Sequence, residues 1–486
     1  MGRRWDERAG REAVGYLLEG LAPDQVLSFT DPACWTSLDQ AVRRIWVHGW
    51  DGHAPQTSAR LRTRQETALC HRDGHVRERA LAAGPETSAF WYLVVLRCAD
   101  WVEPVRLRAR RLLAEHLRDR PEWTLHALTP LVLRVGRREQ GAWARDLFEE
   151  ALRAVPSLAL DRVHGIRDNT WDSATRRLAA RIVLDAGLLD ARGLARHAAE
   201  ALDPVLWRWW SDAALAAMAA GGTDDETVDI LLGARAPLVR SAGVTALRRA
   251  GRAHEATRYL TDRSALVRAC ARWAVSQDGG DPHDRCLELC GDATTVVPYA
   301  VAGLAECGRR ADAELLRPLL GHPVAAVRAQ AVAGLRLLES VPVPDTLPLV
   351  DDPSAAVARE AARALLPYAR RLPADRLTER LSPRWPAPTR RAAYRLLRAR
   401  GGLIQLRSAV SLLSDAEPAL RREAESAVQL RAWVLDVPPG DAEVDRLLRQ
   451  CTHLFSDFVM SVLRTRVGLG ATPHGAVPPP GPVPPY

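Results

Sequence analysis

A valine, an arginine, a small residue and a leucine return in the same order about every thirty residues along most of this chain. In "HPVAAVRAQAVAGLRLL", take Val327 as position zero; Arg328 then stands at one, Ala331 at four and Leu335 at eight. The register can be laid at Val76, Val105, Leu147, Thr175, Trp207, Val239, Val267, Val296, Val327, Val357, Thr389 and Leu420, with only the step from Val105 to Leu147 irregular. A chain of 486 residues exceeds one ordinary globular core, and a steady period accounts for that length by stacking repeats rather than by joining unrelated domains.

From Thr175 onward position four is always small: Ala179, Ser211, Gly243, Ala271, Ala300, Ala331, Ala361, Ala393 and Ala424. Position eight is always aliphatic, from Val183 through Leu335 to Val428. Positions zero, four and eight share one face of an α-helix, so each repeat has an apolar seam with a thin point where a neighbouring helix can approach. A shorter apolar run precedes each such helix and ends in a turn, as in "ATRYLTDRSALVR" and "TLPLVDDPSAAVA"; Asp262, Asp352 and Asp415 each lie five residues before position zero. Two helices per repeat with short polar turns predict an all-α fold, an α-α superhelical solenoid of about a dozen helix-turn-helix units.

The turn aspartate, the Val-Arg opening, the small residue and the leucine together resemble the HEAT-repeat family across residues 61–432. The resemblance implies a ladder in which turn aspartates and arginines of neighbouring repeats pair. Arg240, Arg268, Arg328, Arg390 and Arg421 are its expected rungs, with Asp262, Asp352 and Asp415 as partners. The pattern fails at Val297 and Ala358, where the arginine is missing, and at His322, where the aspartate is. Residues 1–60, including "CWTSLDQAVRRIW", read as a helical N-terminal cap, 433–470 as C-terminal capping helices, and 471–486, "ATPHGAVPPPGPVPPY", as a disordered proline-rich tail.

Every one of the 67 basic Lys-plus-Arg positions is arginine. That excludes Schiff-base chemistry, phosphate loops ending in Gly-Lys and protein kinases, all of which need a lysine. No apolar run reaches the roughly 18 to 20 residues of a membrane span, and the charged N-terminus lacks a signal-peptide core, so a cytoplasmic, non-membrane protein is expected. The eight cysteines are expected to be reduced and packed. Neither Cys286 and Cys290 with His283 nor "CHRDGH" at Cys70, His71 and His75 has the second close pair that metal ligation needs, so neither a metal site nor any other cofactor is expected.

The net charge of +8 is concentrated in residues 370–400, which hold ten arginines against Asp375 and Glu379. Arg391, Arg395 and Arg398 are spaced along one helical face, with Arg384, Trp385, Arg390 and Tyr394 among them. Arginines interleaved with aromatics make this the candidate anion or partner patch, suited to phosphates and bases or to an acidic protein surface. Trp209 and Trp210 in "DPVLWRWWSDAALAAM" are a second candidate, an aromatic contact anchor. No catalytic constellation stands out. Deoxyhypusine hydroxylase, a HEAT-repeat iron enzyme, uses several His-Glu dipeptides, and here His254-Glu255 stands alone. The expected function is therefore a non-catalytic scaffold for a protein partner; the alternative is a nucleic-acid-binding protein, resembling the alkylpurine DNA glycosylases, that grips phosphates with the basic 370–400 segment.

Overall fold

The protein is described by a computed structural model covering residues 6–48, 62, 64–164, 172–222 and 224–470. Among these residues every regular element is an α- or 3-10 helix, and no strand occurs. Contacts gather into two compact units, Met1–Ala250 and Gly251–Tyr486. The proline-rich segment 471–486 lies outside the described residues.

The expected seam is the buried face. Ala271, Ala300, Ala331, Ala361, Ala393 and Ala424 at position four are all fully buried, as are Val239, Val267, Val327, Val357 and Leu420 at position zero. Gly243 shows why position four is small: a Cβ there would stand 2.7 Å from the backbone nitrogen of Leu232, so any side chain would force the helices Asp225–Leu232 and Pro237–Arg249 apart. In the second unit the helix Ala325–Leu337 packs on Pro298–Cys307 and on Ala355–Leu365, and the last of these packs on Ala387–Arg400. Burying each Val or Leu of such a seam contributes about 1.5–3 kcal/mol.

Two details depart from the sequence reading. Some first elements of the repeats end in 3-10 turns rather than running as full α-helices: Pro318–Gly321 and Leu347–Asp351. Pro318 and Pro348 lack the amide that an α-helical ladder needs. The repeat around Val296 begins its helix only at Pro298, because proline is tolerated in the first turn and not beyond it.

Aspartate and arginine join successive repeats. Arg77 Nη2 donates to Asp100 at 2.8 Å, Arg328 donates to Asp352 from Nε at 2.8 Å and Nη2 at 2.9 Å, and Arg390 donates to Asp415. Arginines at position one also tie down their own turns: Arg328 Nη1 reaches the His322 carbonyl at 2.8 Å and Arg421 Nη1 the Asp415 carbonyl at 2.9 Å. Each turn aspartate also caps the following helix, accepting the amide two residues on, from Ser264 by Asp262 at 2.7 Å, from Ser354 by Asp352 at 2.8 Å and from Glu417 by Asp415 at 2.9 Å. One carboxylate thus serves a local turn and a long-range pair.

At two breaks in the pattern, both halves of a rung are missing together. Val297 would pair with a carboxylate at 322, where histidine stands, and Ala358 would pair with one at 384, where arginine stands. His322 keeps the local half of the work: Nδ1 accepts the Val324 amide at 3.0 Å, which leaves Nε2 protonated to donate to the Ala293 carbonyl at 3.0 Å. At the Ala358 step the ion pair runs the other way, from Arg380 of the later repeat to Asp351 of the earlier one, with Nε to Oδ1 at 2.6 Å. Arg268 lacks a turn aspartate, since position 291 is glycine, and pairs with Glu306 instead.

Candidate functional site

The helix Ala387–Arg400 starts at Ala387 with Pro388 in its first turn, where a missing amide costs nothing. Its buried face carries Thr389, Ala392, Ala393, Leu396 and Leu397 against the neighbouring repeats. The opposite face exposes Arg391, Arg395 and Arg398, at the spacing of four and three residues that keeps side chains in line on a helix. These three arginines line a groove of about 420 Å³. Its other wall is the Ala355–Leu365 helix, contributing Ala355, Arg359 and Ala362; Glu423 of the Pro418–Gln429 helix closes one side.

The structure thus brings four of the expected patch residues, Arg391, Tyr394, Arg395 and Arg398, into one groove. Arg391 is paired with Glu417 at 2.7 Å. Arg395 and Arg398 make no hydrogen bond or ion pair among the described residues. Tyr394 lines the groove with only 1% of its surface exposed, and its hydroxyl has no hydrogen-bond partner among the described residues. Burial pushes its phenol up to about 12, with the Arg398 charge acting against that and the Glu423 charge with it. Tyr394 is therefore a neutral hydroxyl in the lining of the groove that two free guanidinium groups share, a set of groups suited to an oxyanion.

The remaining patch residues lie elsewhere. Arg390 is 5% exposed and belongs to the interior, donating to Asp415 and, from Nε, to the Leu381 carbonyl at 2.9 Å. Sequence placed it both in the patch and in the ladder; the ladder position wins because position one of the repeat faces the next turn. Burial alone would push the Asp415 carboxyl up, but the Arg390 bond, the Glu417 amide and the nearby guanidinium charges together hold it below the usual range. Arg384 pairs with Glu379 on the surface, and Trp385 is covered by the Arg380 guanidinium, 5.2 Å from its ring centroid.

The aromatic anchor expected at Trp209 and Trp210 is corrected in part. Trp210 is fully buried, tilted against His197 at 5.2 Å, and so is not a contact residue. Leu206, Trp210, Ala214 and Met218 form the inward face of the Pro204–Gly221 helix, one residue out of step with the expected Trp207 register. Trp207 is half-buried and donates Nε1–H to the Ala201 carbonyl at 2.5 Å, while half-buried Trp209 sits under Arg181 at 5.5 Å.

Cys70, His71 and His75 do not converge on a ligand: Cys70 is buried, and His71 Nδ1 accepts the Asp73 amide at 3.0 Å, the histidine version of the turn cap. Among the described residues no three His, Cys, Asp or Glu side chains are placed to hold a metal ion. No described helix is long and apolar enough to cross a membrane. Sequence reasoning missed the Arg77–Asp100 rung, whose residues follow Val76 by one and precede Val105 by five, the register used elsewhere. It also missed Glu423 and Arg359, which no motif marks and only the packing of three helices assembles. Compared with known proteins, the chain matches no family model and no curated protein.

Proposed function

We propose that this chain is a non-catalytic binding scaffold of the HEAT-like solenoid kind, and that a protein partner docks on the groove between the Ala355–Leu365 and Ala387–Arg400 helices. The observation that carries this reading is the pair Arg395 and Arg398, left without carboxylates beside a concavity when Arg380, Arg384, Arg390 and Arg391 of the same segment are all paired. Unpaired guanidinium groups at a groove favour recognition of negative charge. The resemblance of the repeats to the HEAT family supports an interaction role, since stacked helical repeats present extended surfaces.

A protein suits the groove better than a nucleic acid. Base recognition calls for exposed aromatic faces, and both aromatics of the segment are occupied, Tyr394 by burial and Trp385 by Arg380. Glu417 and Glu423 also interrupt the positive field that a phosphate backbone would follow.

The test is affinity capture with the wild-type chain and an Arg395→Gln/Arg398→Gln variant, alongside titration of labelled single- and double-stranded DNA at low and near-physiological salt. A protein retained by the wild type and lost from the variant is the expected result. Tight, steeply salt-dependent DNA binding that the variant loses would replace this reading with the nucleic-acid one.

A further inference from the structure

We propose that the groove over Tyr394 is a receptor for a phosphorylated side chain of the partner protein, its phosphoryl oxygens held by Arg395 and Arg398. This deepens the scaffold reading and rests on it. A phosphate monoester carries close to two negative charges at neutral pH and three acceptor oxygens. It can therefore occupy two guanidinium forks at once, whereas a glutamate or aspartate, with one charge and two oxygens, fills only one.

The groove has the parts such a group requires. Arg395 and Arg398 are three residues apart on one helix, so their side chains reach the same concavity, and neither has a carboxylate to give up. The Tyr394 hydroxyl, buried and without a partner among the described residues, belongs to the lining of the same groove. A buried hydroxyl without a partner is costly, by about 1–3 kcal/mol, and a ligand oxygen removes that cost. The walls are small side chains, Ala355, Ala362 and Ala392, which leave about 420 Å³ for one modified side chain and its flanking backbone. Glu423 also lines the groove and makes no ion pair among the described residues. Its charge weakens the hold on one phosphoryl group and weighs more heavily against a polyanion.

The experiment uses the purified full chain and fluorescein-labelled degenerate peptide pools with one fixed phosphoserine, and matched pools with serine or glutamate at that position. Fluorescence anisotropy at near-physiological salt should show the phosphoserine pool binding at least about tenfold tighter than either other pool. Arg395→Gln/Arg398→Gln should erase the preference without moving the thermal unfolding midpoint, since both side chains are exposed. Glu423→Gln, by removing a like charge, should tighten the phosphoserine pool several-fold, and millimolar inorganic phosphate should compete. Equal binding of the three pools, or a preference that survives in the double variant, overturns the inference. A partner captured through the arginines but still retained after phosphatase treatment overturns it too, while leaving the scaffold reading in place.

Discussion

Arg328 and Asp352 are joined by two parallel hydrogen bonds, Nε to Oδ2 at 2.8 Å and Nη2 to Oδ1 at 2.9 Å, while the same Oδ1 accepts the Ser354 amide at 2.8 Å. Both side chains are largely buried, 14% and 6% exposed, so removing one partner strands the other's charge. Asp352→Ala should cost about 3–5 kcal/mol in urea unfolding, and Arg328→Ala nearly as much. The double variant should lose less than the sum, because the two changes remove one shared interaction. Additive losses would show that the pair is not coupled.

His322 keeps its turn with an imidazole where other repeats have a carboxylate. His322→Ala should cost about 1–2 kcal/mol, the loss of the Val324 cap and of the bond to the Ala293 carbonyl. His322→Asn restores an acceptor for the Val324 amide and should recover part of that loss. Thermal unfolding of the two variants distinguishes a cap from mere space-filling, which asparagine would not rescue.

The two adjacent tryptophans should respond very differently. Trp210→Ala empties a fully buried site and should destabilise by about 3–5 kcal/mol. Trp209→Ala removes mainly a stacked guanidinium, that of Arg181, and should cost only about 1 kcal/mol. Equal effects would contradict the inward register of this helix.

His283 Nε2 stands 2.9 Å from Asp312 Oδ2. The Asp312 hydrogen bond, with its charge, raises the imidazole above its ordinary value. Because the folded value is raised, this contribution is full below about pH 6.5 and is lost as pH rises through the higher folded value. Burial pushes the Asp312 carboxyl up, but the Arg309 amide and His283 outweigh that and hold it low, so its share is lost only in strong acid. His283→Gln should therefore destabilise the protein more at pH 6 than at pH 9, by roughly 0.5–1 kcal/mol. A pH-independent loss would mean that the bond is made by the neutral ring alone.

Cys307, at the end of its helix and partly exposed, donates Sγ–H to the Gly303 carbonyl at 3.2 Å, and the neighbouring Cys286 thiol, with Arg272 and His283, holds its own thiol below the usual range. It should be the first cysteine alkylated by iodoacetamide in the native protein at neutral pH. Cys286→Ala should slow that reaction several-fold, as peptide mass mapping would show. Faster labelling of Cys270, the other partly exposed thiol, would contradict this ordering.

The repeat was readable because its determinants are local and periodic. A small residue every helix at position four follows from close helix approach, and Gly243 against Leu232 is the extreme case. The rungs at Arg328 and Arg390 were expected only through the resemblance to HEAT repeats, not from the period itself. The register failed at Trp207, where a run of apolar residues lets the helix choose its inward face by packing, and at Val296, where Pro298 delays the helix. The groove was half-readable. Arg391, Arg395 and Arg398 share a face that spacing alone predicts, but that Arg395 and Arg398 are unpaired depends on where Glu417 and Glu423 fall, one at the N-cap of another helix and one within it.

Asp351 and Asp352 are adjacent in the chain and face opposite ways: Asp352 takes Arg328 from the repeat before, and Asp351 takes Arg380 from the repeat after. Three successive repeats are therefore clasped at a single dipeptide. Tension drawn along this part of the chain would be carried through that one point, as through a shared link between two chains, and a proteolytic cut or one-residue deletion there would release both sides at once.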